Sequence, residues 1–426
     1  MAARFIVADV FDGLATLPDN SVDLVMSSPP FLALRSYLPA DHPDKGKEIG
    51  SEATPADFLD TLLDVVEACD RVLAPHGSLV FELGDTFSGS GGAGGDYGPA
   101  GLRDGQTPFD GSAARTRSNR PAQYGTDTGP PRRTITADWP LEKSLCGIPT
   151  LFAWSLAYGR NLLRPERTTP PWRIRNLIAW CRPNPPVGAL GDKVRPATSY
   201  LTVATKARDR YFDLDAERTP SDYDRPNLRG NGSRGPGEAV PGQKRNGSDH
   251  TVNPAGAPLL DHWNIPTQSY RGSHYATFPM ELPRRVISLM CPREVCQVCG
   301  EPRRRIVDRS RITDADDSQR VKHANGERPA AGRMGRAPEI GWEYERTTLG
   351  WTDCGHGDYR RGVVLDPFAG SGTTLAVASG MGRDSVGIDL DARNASLARD
   401  RVGMFLDVTD AREVVETAER LLGAES

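Results

Sequence analysis

No apolar run in this 426-residue chain approaches the length needed to span a bilayer, and its first residues lack the charged-then-apolar pattern of an export signal. Membrane insertion and secretion are therefore the wrong starting points, and the expected location is the cytoplasm. Nor is there an excess of charge of either sign: 52 basic side chains face 56 acidic ones, for a net charge of −4. That balance excludes a chain whose whole surface is drawn to nucleic acid. Any positive surface must be local, and arginine is abundant in the middle segments. Cysteine is scarce, with seven in all, and in a reducing compartment these are thiols or metal ligands rather than disulfides. Glycine (44) and proline (35) are plentiful, which implies long loops. The length exceeds one ordinary core, so the expectation is one large α/β domain carrying insertions.

Val363-Val364-Leu365 is a short apolar strand, Asp366 sits at its carboxyl end, and Gly370 and Gly372 let the backbone approach a ligand at the start of the next helix. Such a turn binds nucleotides, although a plain tight turn has the same composition. A second strand, 384–389, ends in Asp389 about twenty residues on, where a βαβ unit places a ribose-binding acid. The spacing of the turn is not the GxGxxG of nicotinamide enzymes. Far upstream, the strand Val22 to Met26 runs into Ser27-Ser28-Pro29-Pro30-Phe31, a hydroxyl followed by two stiff prolines at a strand end.

The run Asp366-Pro367-Phe368-Ala369-Gly370-Ser371-Gly372-Thr373-Thr374 resembles the S-adenosyl-L-methionine (SAM) binding motif of the amino-group DNA methyltransferases. Met26 to Phe31 resembles their Ser-Pro-Pro-Tyr/Phe catalytic motif. The catalytic motif comes first here, the circularly permuted order of the β class. The resemblance implies an α/β, Rossmann-like SAM-dependent methyltransferase fold with a mixed, mostly parallel sheet and loop-rich insertions. It assigns Ser28, Pro29, Pro30 and Phe31 to catalysis. Asp366, Pro367, Phe368, Gly370, Ser371, Gly372 and Thr373 fall to the methionine end of SAM and its turn, and Asp389 to the ribose hydroxyls. Asp9 lies near the adenine in this family, although a helix cap is an equal reading of that acid. His274 to Pro279 resembles the family's His-x-x-Thr-x-Pro segment, which adds Thr277, Phe278 and Pro279. Trp180, Asn184-Pro185, Asp192 to Pro196, Lys206 and Tyr211-Phe212-Asp213 continue the motif order, with Arg182 where a lysine is more usual.

The reaction implied by this resemblance is transfer of a methyl group to the exocyclic amine of a flipped base in double-stranded DNA. Ser28 and the Pro29 carbonyl would accept hydrogen bonds from that amine, and Phe31 would stack on the base. Ser at position 28 favours cytosine N4, with adenine N6 as the alternative; the absence of a Pro-Cys dipeptide argues against cytosine C5. RNA or a small molecule is a further substrate class, against which the basic, polar region after Asp213 speaks. A DNA-binding module that has lost catalysis is the reading of another kind, and the intact motifs oppose it. Expected partners are duplex DNA and, for a modification enzyme, a cognate restriction nuclease; the chain itself is expected as monomer or homodimer.

The expected segments are 1–85 (catalytic half of the core), 86–138 (Gly/Arg-rich flexible insertion), 139–213 (remainder of the catalytic core), 214–272 (target recognition), 273–290 (SAM-contact segment and helix), 291–360 (zinc-binding insertion) and 361–426 (SAM-binding half). Thr54-Pro55-Ala56-Asp57 starts a helix that Pro75 and Gly77 stop. Pro149 opens another through Leu163, with Leu151, Phe152, Trp154, Leu156 and Tyr158 as core candidates. In 291–360, Cys296-Gln297-Val298-Cys299 is a CxxC knuckle and Cys354-Gly355-His356 a second ligand pair, which suits a tetrahedral structural zinc. Cys291 in place of Cys354 or His356, or free thiols, are the other readings.

Overall fold

The computed structural model describes residues 2–33, 37–38, 41–89, 138–185, 193–218, 258–268, 278–307, 348–404 and 406–410. Its largest element is a nine-stranded sheet. Six of the strands come first in the chain: β1 (Ala3–Val7), β2 (Val22–Ser27), β3 (Leu73–Leu83), β4 (Arg173–Cys181), β5 (Thr198–Thr205) and β6 (His262–Asn264). Four short strands come next, outside the sheet: β7 (Glu294–Cys296), β8 (Arg305–Val307), β9 (Thr348–Trp351) and β10 (Tyr359–Arg361). The chain then returns to the sheet as β11 (Val363–Asp366), β12 (Asp384–Asp389) and β13 (Leu406–Asp410).

The spatial order is β13-β1-β12-β11-β2-β3-β5-β4-β6. Only β5 runs against its neighbours; every other pairing in the sheet is parallel. β2 is buried along its whole length, as a strand covered on both faces should be. The two faces show in β1, where alternate side chains enter different clusters. Ala3 and Phe5 pack with Leu375 and Ala398, whereas Ile6 packs with Leu14, Leu62 and Val66. Residues more than three hundred positions apart become neighbours because β11 pairs with β2.

Among the described residues six helices flank the sheet: α1 (Val10–Ala15), α2 (Pro55–Val72), α3 (Ile148–Tyr158), α4 (Glu281–Met290), α5 (Thr373–Gly380) and α6 (Arg393–Val402). The start of α2 is the expected cap, with Thr54 Oγ1 accepting from the Asp57 amide at 3.1 Å. Its end differs: α2 passes at Val72 straight into β3 at Leu73. The register shift opposite Val22 and Leu24 absorbs Pro75 and Gly77 as an irregularity instead of a loop. α3 stops at Tyr158 because Gly159 takes the left-handed cap at φ 65°. Phe152 and Leu156 are buried, but Trp154 and Tyr158 are 46% and 67% exposed and do not belong to the core. β6 has no counterpart among the strands expected from sequence.

The chain divides into two compact units. One comprises Met1–Phe212, Leu260–Arg303 and Cys354–Ser426, and the other Asp213–Leu259 and Arg304–Asp353. In the second, β8 and β9 pair antiparallel. Arg305 donates to Asp213 Oδ2 at 2.8 Å and lies 4.9 Å from the Trp351 ring centre. The arginines of the expected flexible insertion 86–138 (Arg115, Arg117, Arg120, Arg132 and Arg133) and the basic residues of 214–272, whose sequence reading is DNA contact or plain surface charge (Arg225, Arg229, Arg234, Lys244 and Arg245), lie outside the described residues.

Candidate active site

The carboxyl ends of four adjacent strands, β1, β12, β11 and β2, open into one pocket of about 930 Å³ including its mouth, the place where parallel α/β sheets take ligands. Asp9 enters from the end of β1, Ser28 and Pro30 from the end of β2, Pro367 to Ser371 and Thr373 from the turn after β11, and Asp389 from the end of β12. Ser28 and Gly370 thus share a cleft. Phe278 adds an apolar wall, and Tyr37, Leu38, Lys47, Glu48 and Ile49 supply a side that the motifs do not foretell.

The turn is shaped by local constraint. Gly372 caps α5 at φ 74°, and a Cβ there would stand 2.8 Å from that of Ala398, so any side chain would push α6 away. Asp389 Oδ2 accepts from the Gly370 amide at 2.7 Å, while its Oδ1 accepts from the Asp391 amide and Asn394 Nδ2, both at 2.9 Å. Asp366 is buried behind the turn and does not line the pocket. It accepts from Ser27 Oγ and, at 3.1 Å, from the Phe368 amide. Burial pushes its carboxyl up to about 6 against the pull of those hydrogen bonds.

Asp9 is both a helix cap and a pocket-lining acid. It caps α1, accepting from the Phe11 and Asp12 amides at 3.0 Å each, and it faces the pocket, where Lys47 Nζ meets its Oδ2 at 2.7 Å. Pro29 and Pro279 are buried, and Gly372 serves packing rather than the pocket lining. The Phe31 ring closes over Gly84, where a Cβ would come within 2.4 Å of it. Thr277 lies outside the described residues.

Ser28 has a partner that no motif reveals. Its hydroxyl donates to Glu82 Oε2 at 2.6 Å. Glu82 lies near the end of β3, is 2% exposed, and leaves Oε1 without a hydrogen bond among the described residues. Burial raises its pKa; hydrogen bonds with Ser199 and Ser28 and the nearby Arg182 charge oppose the rise. Arg182 in turn donates to Ser199 Oγ at 3.0 Å and stacks 4.9 Å from the Trp180 ring centre. The signal in the sequence is a lone carboxylate in the apolar run Leu79 to Leu83.

Away from this pocket, Cys296, Cys299, Cys354 and His356 bring one ligand atom each within 4.8 Å of one another.

The profile of the DNA methylase family matches residues 22–294 and 357–400, well over half of the chain. The chain belongs to the DNA methylase family. Among relatives, the Type II methyltransferase M.SmaI of Serratia marcescens is 24% identical over 401 residues, covering 94% of this chain and 91% of its own. M.XycI of Xanthomonas campestris pv. cyanopsidis is 25% identical over 397 residues, covering 92% and 85%. Among solved structures, the PvuII DNA methyltransferase, cytosine-N4-specific, is 11% identical with a TM-score of 0.45, covering 99% of this chain and 93% of that one. In this DNA methylase the pocket over β1, β12, β11 and β2 falls within or beside the matched segments, whereas β8 and β9 lie between them.

Proposed function

We propose that this methylase transfers a methyl group from SAM to the exocyclic amine of a base in duplex DNA, and that the base is cytosine, modified at N4. The observation that carries the reading is the Ser28 hydroxyl in the same pocket as the glycine turn, held at 2.6 Å by a buried carboxylate.

The pocket suits SAM on chemical grounds. Asp9, Glu48, Asp389 and Asp391 line it against the single cation Lys47 among the described lining residues, which favours a ligand carrying positive charge. Ser371 Oγ, also lining it, is buried without a hydrogen-bond partner among the described residues, an acceptor and donor awaiting a polar ligand. Phe278, Phe368 and Leu390 offer apolar faces to a nucleoside. When bound, SAM supplies an electrophilic methyl on a sulfonium sulfur. Asp9, Asp389 and the turn at Gly370 would hold it, with Phe278 and Phe368 against it.

The chain's own task concerns the acceptor. The lone pair of an exocyclic amine is delocalised into the ring, so it must be drawn toward tetrahedral geometry. Because the Ser28 proton is committed to Glu82, its lone pairs are left to accept from the amine, and the adjacent Pro29 carbonyl offers a second acceptor. Fixed acceptors of this kind act through orientation and preorganised charge. As the amine gives a proton to Ser28 Oγ, that oxygen passes its own to Glu82 Oε2, whose raised pKa suits it to receive one. Phe31, seated on Gly84, is the platform on which the extruded base stacks. Cytosine is favoured over adenine by the Ser-Pro-Pro-Phe form of the motif. The Type II names of the relatives support a modification role, with a restriction nuclease as the companion activity.

The test is incubation with duplex DNA of varied sequence and methyl-labelled SAM, followed by nucleoside mass spectrometry. N4-methylcytosine is expected; N6-methyladenine would replace the cytosine assignment. Absence of both would overturn the reading.

A further inference from the structure

The cysteine knuckles are not used by methyl transfer, and their geometry is specific. Cys296 ends β7, Cys299 lies in the turn after it, and Cys354 and His356 precede β10. His356 Nδ1 is 3.5 Å from Cys296 Sγ and 3.3 Å from Cys354 Sγ. A tetrahedral zinc with bonds of about 2.0–2.3 Å sets its ligand atoms about 3.3–3.8 Å apart, so both His356 contacts stand at metal-ligand separation, and all four atoms lie within 4.8 Å of one another. No disulfide competes: all seven cysteines are free. The Glu301 amide points at the Cys299 sulfur, and the His356 amide at that of Cys354. The Tyr359 hydroxyl lies 3.4 Å from Cys354 Sγ. Such contacts orient thiolate ligands from behind. Cys291 is not among the four; it is buried elsewhere, with its sulfur 3.7 Å from the Pro292 carbonyl.

The chain leaves the first unit after Arg303 and re-enters it at Cys354. The returning strand β10 pairs with β7 over only three residues, with hydrogen bonds between Gln297 and Asp358 beside the ladder, and a two-stranded ribbon of that length is marginal by itself. Yet β10 has a demanding role. Arg360 reaches the fully buried Asp23 of β2 with two hydrogen bonds, 2.5 and 2.9 Å long.

We propose that Cys296, Cys299, Cys354 and His356 hold a structural zinc ion that staples β10 to β7 and so keeps Arg360 on Asp23. Four protein ligands leave no open position, which makes the site structural rather than catalytic. It stabilises by supplying, through ligation, the order that a short polar ribbon lacks.

The full-length protein, purified without chelator and analysed by inductively coupled plasma mass spectrometry, should carry about one zinc per chain. Cys299→Ser and Cys354→Ser should each lower the metal content at least about tenfold, while Cys181→Ser, outside the cluster, should leave it unchanged. Cobalt(II) substituted into the wild-type protein should give thiolate charge-transfer and tetrahedral ligand-field bands, a readout that does not depend on whether the variants fold. Hydrogen exchange after chelation should show lost protection in 357–366 and unchanged protection in 384–389. Wild-type protein that takes up neither zinc nor cobalt, or cysteine variants with full metal content, would overturn the site. Metal loss with no change in 357–366 would overturn the staple.

Discussion

Two carboxylates enter the sheet on neighbouring strands, Asp23 near the amino end of β2 and Glu82 near the carboxyl end of β3, and their surroundings are opposite. Asp23 is fully buried and answered in full: Arg360 donates twice, His76 Nε2 lies 2.9 Å from Oδ1, and the Val363 amide donates to Oδ2 at 2.8 Å. Burial works to raise its pKa, but His76 and Arg360 outweigh it and hold the carboxyl below the ordinary range. Glu82 meets hydroxyls instead of a bonded cation, keeps one oxygen unanswered among the described residues, and is raised. Desolvation penalises both acids, so the difference comes from the partners. A satisfied buried acid anchors the fold, whereas an under-satisfied one beside a pocket is where a substrate completes the network.

The largest effect should come from Asp23→Asn. Removing one side of a buried ion pair leaves the other uncompensated, at about 3–5 kcal/mol, readable by urea denaturation at pH 7. The folded pKa of Asp23 lies below the unfolded value of about 3.9. Its contribution is therefore complete above the unfolded pKa and fades as pH falls through the folded one. The variant's deficit should accordingly shrink in acid. A deficit that stayed the same at pH 7 and in strong acid would remove the ion pair as its cause.

The same chemical change at the other end, Glu82→Gln, should act on turnover and spare the fold. The amide still accepts from Ser28 but takes no proton, and a loss of about 10²-fold in kcat is expected, the scale of one preorganised group. Because the folded pKa of Glu82 is raised, holding it ionised costs stability above that pKa. The variant should therefore be as stable as the parent at pH 8, or more so. Destabilisation equal to that of Asp23→Asn would dissolve the contrast between the two acids.

Both acids stand out in the sequence as single charges in apolar strands, Asp23 in Val22–Ser27 and Glu82 in Leu79 to Leu83. What each one meets is not legible there, because Arg360 reaches Asp23 across 337 positions and Ser28 reaches Glu82 across 54. The floor of the pocket is readable because strand, glycine turn and helix are contiguous between Val363 and Gly380. Its side wall is not: Leu38, Lys47 and Ile49 follow no period and acquire meaning only in three dimensions. Trp154 and Tyr158 lie in a helix that is apolar on most sides, so composition cannot say which face turns to solvent. The Cys296–Cys299 knuckle and the Cys354-Gly355-His356 pair are readable from spacing, whereas their meeting in one cluster without Cys291 appears only in the fold.

The smallest effect concerns how Asp23 is held. His76 Nε2 supplies one hydrogen bond to Oδ1, beside two from Arg360 and one from the Val363 amide. Replacing it by Leu removes that one donor and leaves the other three, so His76→Leu should cost only about 1 kcal/mol, the net worth of one hydrogen bond. If that cost belongs to the contact with Asp23, it should largely vanish in the Asp23→Asn background, because the two changes then remove the same interaction. Strictly additive costs in the double-mutant cycle would mean that His76 stabilises the chain through something other than this acid. The backbone hydrogen bond from the Tyr211 amide to the His76 carbonyl, 2.9 Å long, survives the substitution and so cannot account for a loss. The cycle therefore isolates the side chain, and with it the claim that the amino end of β2 is anchored by partners that the carboxyl end of β3 lacks.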